Sequence, residues 1–317
     1  GMDTLAFSNA AGTTNSLNVG DIGTTLAQFD FERAGFNGAG TLNLSGAAQF
    51  NSTLAVLGGT IVSQANVSGA SPLFSVGSAA SLTNGSGGVI SLLAPANGAQ
   101  PTGAVAANGG GTVSNAGMIS ASGANSVAVL FSDPAPASGP ANSNSLNNMA
   151  GGTIKGDASA GSFAVLGSAA QEMITNAGTI IGTVSLGAGD DGFSLAGAGV
   201  LSGNIVAGSG NDRVTIAGSG RVNGTIDLGD GDDVLTVNLS GSDPMAGIGG
   251  AVTAGAGVDT LAFSNDAGVT NTLNIGDIIL CGEYFGRVRG LIDDRGRRVK
   301  SAGPATAVKC MGLSGVP

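Results

Sequence analysis

Six of the seven aspartates in four glycine-rich turns are the residues of this 317-residue chain best placed for site chemistry. The turns are Gly187–Asp191 (GAGDD), Gly208–Asp212 (GSGND), Gly229–Asp233 (GDGDD) and Gly255–Asp259 (GAGVD), at spacings of 21, 21 and 26 residues. Carboxylates that recur at a fixed interval can stack along one edge and hold a hard cation through oxygen ligands. Asp191, Asp212, Asp233 and Asp259 are therefore candidate Ca²⁺ ligands, with Asp190 and Asp232 beside them. The familiar glycine-rich Ca²⁺ repeat has a nine-residue period. The period here is 21, and aspartates that simply make tight turns are the plainer reading.

Catalysis has little to work with. The absence of histidine removes Ser-His-Asp triads, Cys-His dyads and imidazole metal sites together. Paired carboxylates could serve sugar-chain cleavage, but the pairs Asp190-Asp191, Asp232-Asp233 and Asp293-Asp294 are sequence neighbours. Neighbours in a strand face opposite ways. The expectation is a non-enzymatic protein without a cofactor.

The elements that position these turns follow from composition. Glycine contributes 58 residues, aromatics 4% and charged residues 10%, while 42% of the chain is hydrophobic. A round core needs large side chains, whereas a core one or two side chains wide needs only Val, Ile, Leu and an occasional Phe. Each acidic turn precedes an apolar alternation, as in Val214-Thr215-Ile216 and Val234-Leu235-Thr236-Val237. A second strand is expected over 201–206 and 222–228. Turn, strand, glycine-rich corner and strand at a period near 21 predict an all-β, elongated β-solenoid over residues 1–278. An Asn-Ala-Gly-x-Ile motif at Asn115–Ile119 and Asn176–Ile180, with a relative at 149–154, predicts further corners, and stacking would let Asn and Thr form ladders. From 41 to 130 the period is less regular, and the proline-rich stretch 132–146 is expected to leave the solenoid as a loop.

Residues 3–22 recur at 259–278 with 16 of 20 positions identical. The chain thus opens in mid-repeat, and its natural polypeptide is expected to extend upstream. Residues 1–278 hold four basic side chains against 18 acidic ones; residues 279–317 hold seven against three, with both cysteines, Cys281 and Cys310. The acidic body is a poor partner for nucleic acid. A boundary is therefore expected near 278.

On its glycine-aspartate turns and Asn-Ala-Gly-x-Ile corners, the body resembles the passenger region of bacterial autotransporters and large surface adhesins. The resemblance implies a non-catalytic surface stalk or adhesin fragment that presents its flank to host or neighbouring cells. It also implies a cell-surface location, with outer-membrane anchoring in the full-length protein.

The tail resembles a different family. Gly276-Asp277-Ile278, then Tyr284-Phe-Gly-Arg-Val-Arg289, Asp293-Asp294-x-Gly296-x-Arg298-Val-Lys300, Ala302-Gly-Pro304 and Gly312–Pro317 are similar to the β-barrel that follows the GTPase domain of bacterial translation initiation factor two. This implies an incomplete barrel over 279–317, unpaired cysteines and ribosome or RNA contact through Arg287, Arg289, Arg297, Arg298 and Lys300. A solvated hairpin is the blander account of that charge run. No GxxxxGK[ST] loop exists, so nucleotide hydrolysis is not implied. The alternative function is then a translation-factor fragment of cytoplasmic location. Residues 272–278 fit both families, and a reading frame joined from two sources is expected to look like this.

Overall fold

The computed structural model describes residues 4–20, 33–50, 53–70, 72–93, 100–133, 143–239, 247–265, 273–274, 278–281, 284–287, 290–293, 295–302 and 308–311. The fold is all-β, and every element named in these residues is a strand.

From Thr4 to Asn265 the strand pairings are parallel. They form three stacks that the chain visits in turn. One stack includes Val184–Ala188, Ile205–Ser209 and Ile226–Asp230. The next includes Gly192–Leu195, Arg213–Ile216 and Val234–Leu239. The third includes Thr179–Ile181, Val200–Ser202 and Arg221–Val222, and forms a separate eight-stranded sheet. Register is strict: Val184 lies beside Ile205 and Ile205 beside Ile226, while Leu195 lies beside Ile216 and Ile216 beside Val237.

The stretches expected as single strands over 201–206 and 222–228 are each broken in two. Val200–Ser202 belongs to the third stack and Ile205–Ser209 to the first. The break has a steric cause: a Cβ on Gly203 would lie 2.1 Å from the Gly182 carbonyl oxygen, and one on Gly224 2.3 Å from that of Gly203. Glycines at this corner let successive levels approach where no other residue fits. Each level therefore has three sides instead of two.

Period-2 alternation drives each strand, with apolar residues directed inward. Ile90, Ile119, Ile154, Ile180, Leu201 and Val222 make one buried column at the third stack. Phe36, Phe74, Phe131 and Phe193 are the bulkiest fully buried side chains. The irregular period of the first half comes from insertions between levels. Asn84, Asn115, Asn148 and Asn176 lie one level apart yet 31, 33 and 28 residues apart in sequence. Within the stretch expected as a loop, Ser143–Asn148 is a strand paired with Thr112–Asn115 and Gln171–Asn176; residues 134–142 lie outside the described residues.

Beyond Asn265 the pairing turns antiparallel. Ile278–Cys281 pairs with Tyr284–Arg287, Gly290–Asp293 pairs with Arg298–Val299 and Val308–Met311, and Leu273–Asn274 pairs with Ser301–Ala302. The repeated sequence is thus used in two ways. Leu17 and Asn18 pair in parallel with Leu44 and Ser45, whereas their counterparts Leu273 and Asn274 pair antiparallel with the tail.

Candidate functional site

The glycine-aspartate turns stack into one corner between the first two stacks. Gly187, Gly208 and Gly229 lie in register, and each has positive φ (113°, 119° and 95°). A Cβ on Gly208 would sit 1.8 Å from the Gly187 oxygen, and one on Gly210 1.9 Å from that of Gly189. Only glycine satisfies both the backbone conformation and this approach.

Two rows of side chains run along the corner. In the inner row the Asp191 Oδ1 accepts the Glu172 amide at 2.7 Å. Asp212 Oδ1 accepts the Asp191 amide at 2.8 Å, Asp233 Oδ1 the Asp212 amide at 2.7 Å and Asp259 Oδ1 the Asp233 amide at 3.1 Å. Asp191, Asp212 and Asp233 are buried, and the Oδ2 of each has no hydrogen-bond partner. The outer row is exposed: Asp190 Oδ1 accepts the Asn211 amide, Asn211 Oδ1 that of Asp232, and Asp232 Oδ1 that of Val258. Adjacent aspartates therefore face opposite ways, Asp191 inward and Asp190 outward, Asp233 inward and Asp232 outward.

Burial pushes the Asp191 and Asp212 carboxyls up to about 7, against the pull of the amides they accept. It raises Asp233 and Glu172 for the same reason. Neighbouring carboxylates add to each shift.

The four residues expected to bind Ca²⁺ are thus brought into one file, each holding a backbone amide of the level before. Among the described residues, no three His, Cys, Asp or Glu side chains converge as a metal site.

Sequence reading missed the upper end of this row. Glu172 is fully buried, and its Oε1 accepts from Ser168 Oγ at 2.5 Å and from Asn144 Nδ2 at 3.2 Å. Asn144 also donates to Asp133 Oδ2 at 2.6 Å. The available signal was weak: Ser168 pairs with Gly187, so Ser168–Glu172 (SAAQE) is the same corner without its glycines. A second buried row was half-seen. Asn84 donates to Asn115 Oδ1, Asn115 to Asn148 and Asn148 to Asn176, at 2.8, 2.8 and 2.7 Å. Asn115 and Asn176 head the expected motif; Asn84 (NGSGGVI) went unnoticed because its spacing differs.

In the tail, Asp293 organises a tight turn. Its Oδ1 accepts the amides of Arg295 and Arg297 at 3.0 and 2.8 Å, and its Oδ2 pairs with the Arg297 guanidinium at 2.8 Å. The Arg297 amide, first, and its guanidinium hold the Asp293 carboxyl below the usual range. Arg297, Arg298 and Lys300 are exposed. Arg287 lies in Tyr284–Arg287, and Arg289 lies outside the described residues. Cys281 and Cys310 fall in different sheets. No helix of the described residues is long and apolar enough to cross a membrane.

Antiparallel strands with an exposed basic turn define the segment that resembles known proteins. The family model for elongation factor G domain 2 matches residues 269–317. Translation initiation factor IF-2 of Desulfitobacterium hafniense (strain Y51) is 63% identical over 45 residues, which is 14% of this chain and 5% of that protein. IF-2 of Trichormus variabilis (strain ATCC 29413 / PCC 7937) is 60% identical over 45 residues, 14% of this chain and 4% of that one. IF-2 of Pelotomaculum thermopropionicum is 56% identical over 45 residues, 14% and 5% respectively. The chain therefore spans only about a twentieth of the length of these curated relatives. No solved structure matches the chain.

Proposed function

We propose that residues 269–317 are a fragment of a translation-factor β-barrel domain and that the chain's assignable biochemical role is ribosome contact through this segment. The observation that carries the reading is the match itself, 45 residues at 56–63% identity. It is supported by the exposed Arg297, Arg298 and Lys300 on the same segment. Sedimentation of the full chain with bacterial ribosomes at low salt tests it. Co-sedimentation that disappears as salt rises is expected, and a chain left in the supernatant at low salt overturns the reading. Without a phosphate-binding loop, the segment would act as a docking piece and not as a GTPase, and the chain as a whole would be non-catalytic.

A second reading concerns the body. Its parallel register, repeating every 21 residues through Asp191, Asp212 and Asp233, favours an elongated β-solenoid; a structural, surface-stalk or adhesin-passenger role for it rests on the sequence resemblance alone. The two readings call for different compartments, cytoplasm for the tail and cell surface for the body. Amplification and sequencing of source DNA across codons 260–300 separates the cases. A clean product is expected if one gene encodes both parts. Two separate products would mean that the body and the tail must be assigned functions independently.

A further inference from the structure

The inner row of the acidic corner holds more buried carboxyl oxygen than its surroundings can balance as charge. Asp191, Asp212 and Asp233 are 2%, 1% and 0% exposed, and each leaves its Oδ2 without a partner. One oxygen of each is committed to a backbone amide. Among the described residues, the ionisable groups acting on the row from the packed levels are all acidic: Asp133 on Glu172, Asp190 on Asp191 and Asp212, and Asp230, Asp232 and Asp259 on Asp233. Glu172, at the head of the row, differs: both its oxygens accept hydrogen bonds, Oε1 from Ser168 Oγ and Asn144 Nδ2 and Oε2 from the Ser168 amide. Arg213, the nearest cation in sequence, is turned outward and exposed. A buried carboxylate with an unpaired oxygen and no counter-charge is strongly unfavourable. A row of them, each one β-spacing from the next, adds repulsion in a low dielectric.

A neutral carboxyl removes the charge and leaves only the smaller cost of a buried hydroxyl without an acceptor. Its carbonyl oxygen keeps the amide bond, and the orphaned oxygen becomes a hydroxyl that carries no charge. We propose that Asp191, Asp212 and Asp233 form a proton-held spine, folded with its carboxyls protonated, which makes the body an acid-stabilised structure that loosens at this corner as pH rises.

The direction follows from linkage. Unfolding returns these groups to the ordinary carboxylate range, so the folded state holds more protons between that range and the raised values. The stabilisation is fully present below about pH 4, is lost as pH rises through about 7 where Asp191 and Asp212 titrate, and is flat above that. This is the reverse of a protein held by carboxylate salt bridges.

The test is thermal unfolding of the full chain from pH 4.5 to 8.5, read by far-ultraviolet circular dichroism, with 13C NMR of the carboxyl carbons. The melting temperature is expected to fall by roughly 5–10 °C across that range, with at least two carboxyls titrating above pH 6. The triple variant Asp191→Asn/Asp212→Asn/Asp233→Asn keeps an amide-accepting oxygen in each place without charge, and its melting temperature should change far less than that of the wild type over the same range. Should that variant fail to fold, the wild-type carboxyl titrations decide alone. Every carboxyl titrating below about pH 5, or a melting temperature that holds or climbs to pH 8.5, overturns the proposal. So does a Ca²⁺-dependent rise in melting temperature at pH 8 that Asp212→Asn abolishes, because a cation would then hold the row in place of protons.

Discussion

The amide of Asp191 donates to the Oδ1 of Asp212 at 2.8 Å, and the two residues stand 21 positions apart in the chain. The same bond recurs from Asp212 to Asp233 at the same separation. A side chain thus ties the backbone of one level to the next, at a corner where a strand ladder would otherwise end. Sheet hydrogen bonds hold the stacks along their sides, and the aspartate file continues the connection around the bend. Removing one member should be felt on both neighbouring levels, which is the behaviour of stacked repeats.

Glycine is required at this corner for two reasons, so alanine there should be severe. At Gly208, φ is +119° and an added Cβ would meet the Gly187 oxygen at 1.8 Å. We expect Gly208→Ala to lower stability by ~3 kcal/mol or more, because strain and overpacking act together. Gly87, with open space around the Cβ position and no positive φ, is the control, and alanine there should stay within about 0.5 kcal/mol. Urea-unfolding midpoints of the two variants check the contrast; equal midpoints would show that the corner does not approach this closely.

The asparagine row predicts a loss larger than one hydrogen bond. Asn115 accepts from Asn84 and donates to Asn148 Oδ1, Gly117 O and Thr153 O. Asn115→Ala strands the Oδ1 of Asn148 inside the protein and takes one acceptor from the Nδ2 of Asn84, which keeps Gly88 O and Met118 O. The expected cost is ~2–4 kcal/mol, measured by chemical denaturation. Asn223→Ala, on an exposed side chain with a long 3.3 Å bond to Ser202, should cost a few tenths of that.

Much of this arrangement was legible in the residues, and the parts that were not share a cause. Gly187, Gly208 and Gly229 announce themselves because no insertion separates their levels, so sequence period and spatial period coincide. Asn84, Asn115 and Asn148 stack just as regularly in space, yet their sequence steps of 31 and 33 residues hide it. Glu172 escaped because its corner uses Ser168 and Ala170 where the others use glycine, leaving only burial to reveal it. The three-sided level was misread as two-sided because Val200–Ser202 and Ile205–Ser209 form one apolar run on paper. Leu273 and Asn274 set a different limit. Their sequence repeats that of Leu17 and Asn18, but the partner strand, which lies outside the repeat, decides whether they pair parallel or antiparallel.

Core volume gives a simpler expectation. Phe193 is 1% exposed and sits between Ile174 and Val214 in its column. Phe193→Ala should cost ~3–5 kcal/mol through the cavity it leaves, while Phe193→Leu should recover more than half of that. A drop in melting temperature for the first variant no larger than for the second would mean that the levels collapse around the gap.

The tail's charges should act separately in folding and in binding. Arg297 is tied to Asp293 by its guanidinium and its amide, so it shapes the turn as well as carrying charge. Arg298 and Lys300 are exposed beside that turn and are free to meet phosphate. Reversing both, as Arg298→Glu with Lys300→Glu, should weaken ribosome binding at least tenfold at low salt. It should also reduce the slope of log affinity against log salt by about 2, because each lost phosphate contact removes close to one released counterion. Asp293→Asn keeps an acceptor for the amides but weakens the ion pair, and should change affinity by less than threefold. Filter binding of ribosomes across 50–200 mM salt reads both. If the reversal lowers affinity without changing the slope, the loss comes from a disordered turn, and the basic residues are not touching RNA.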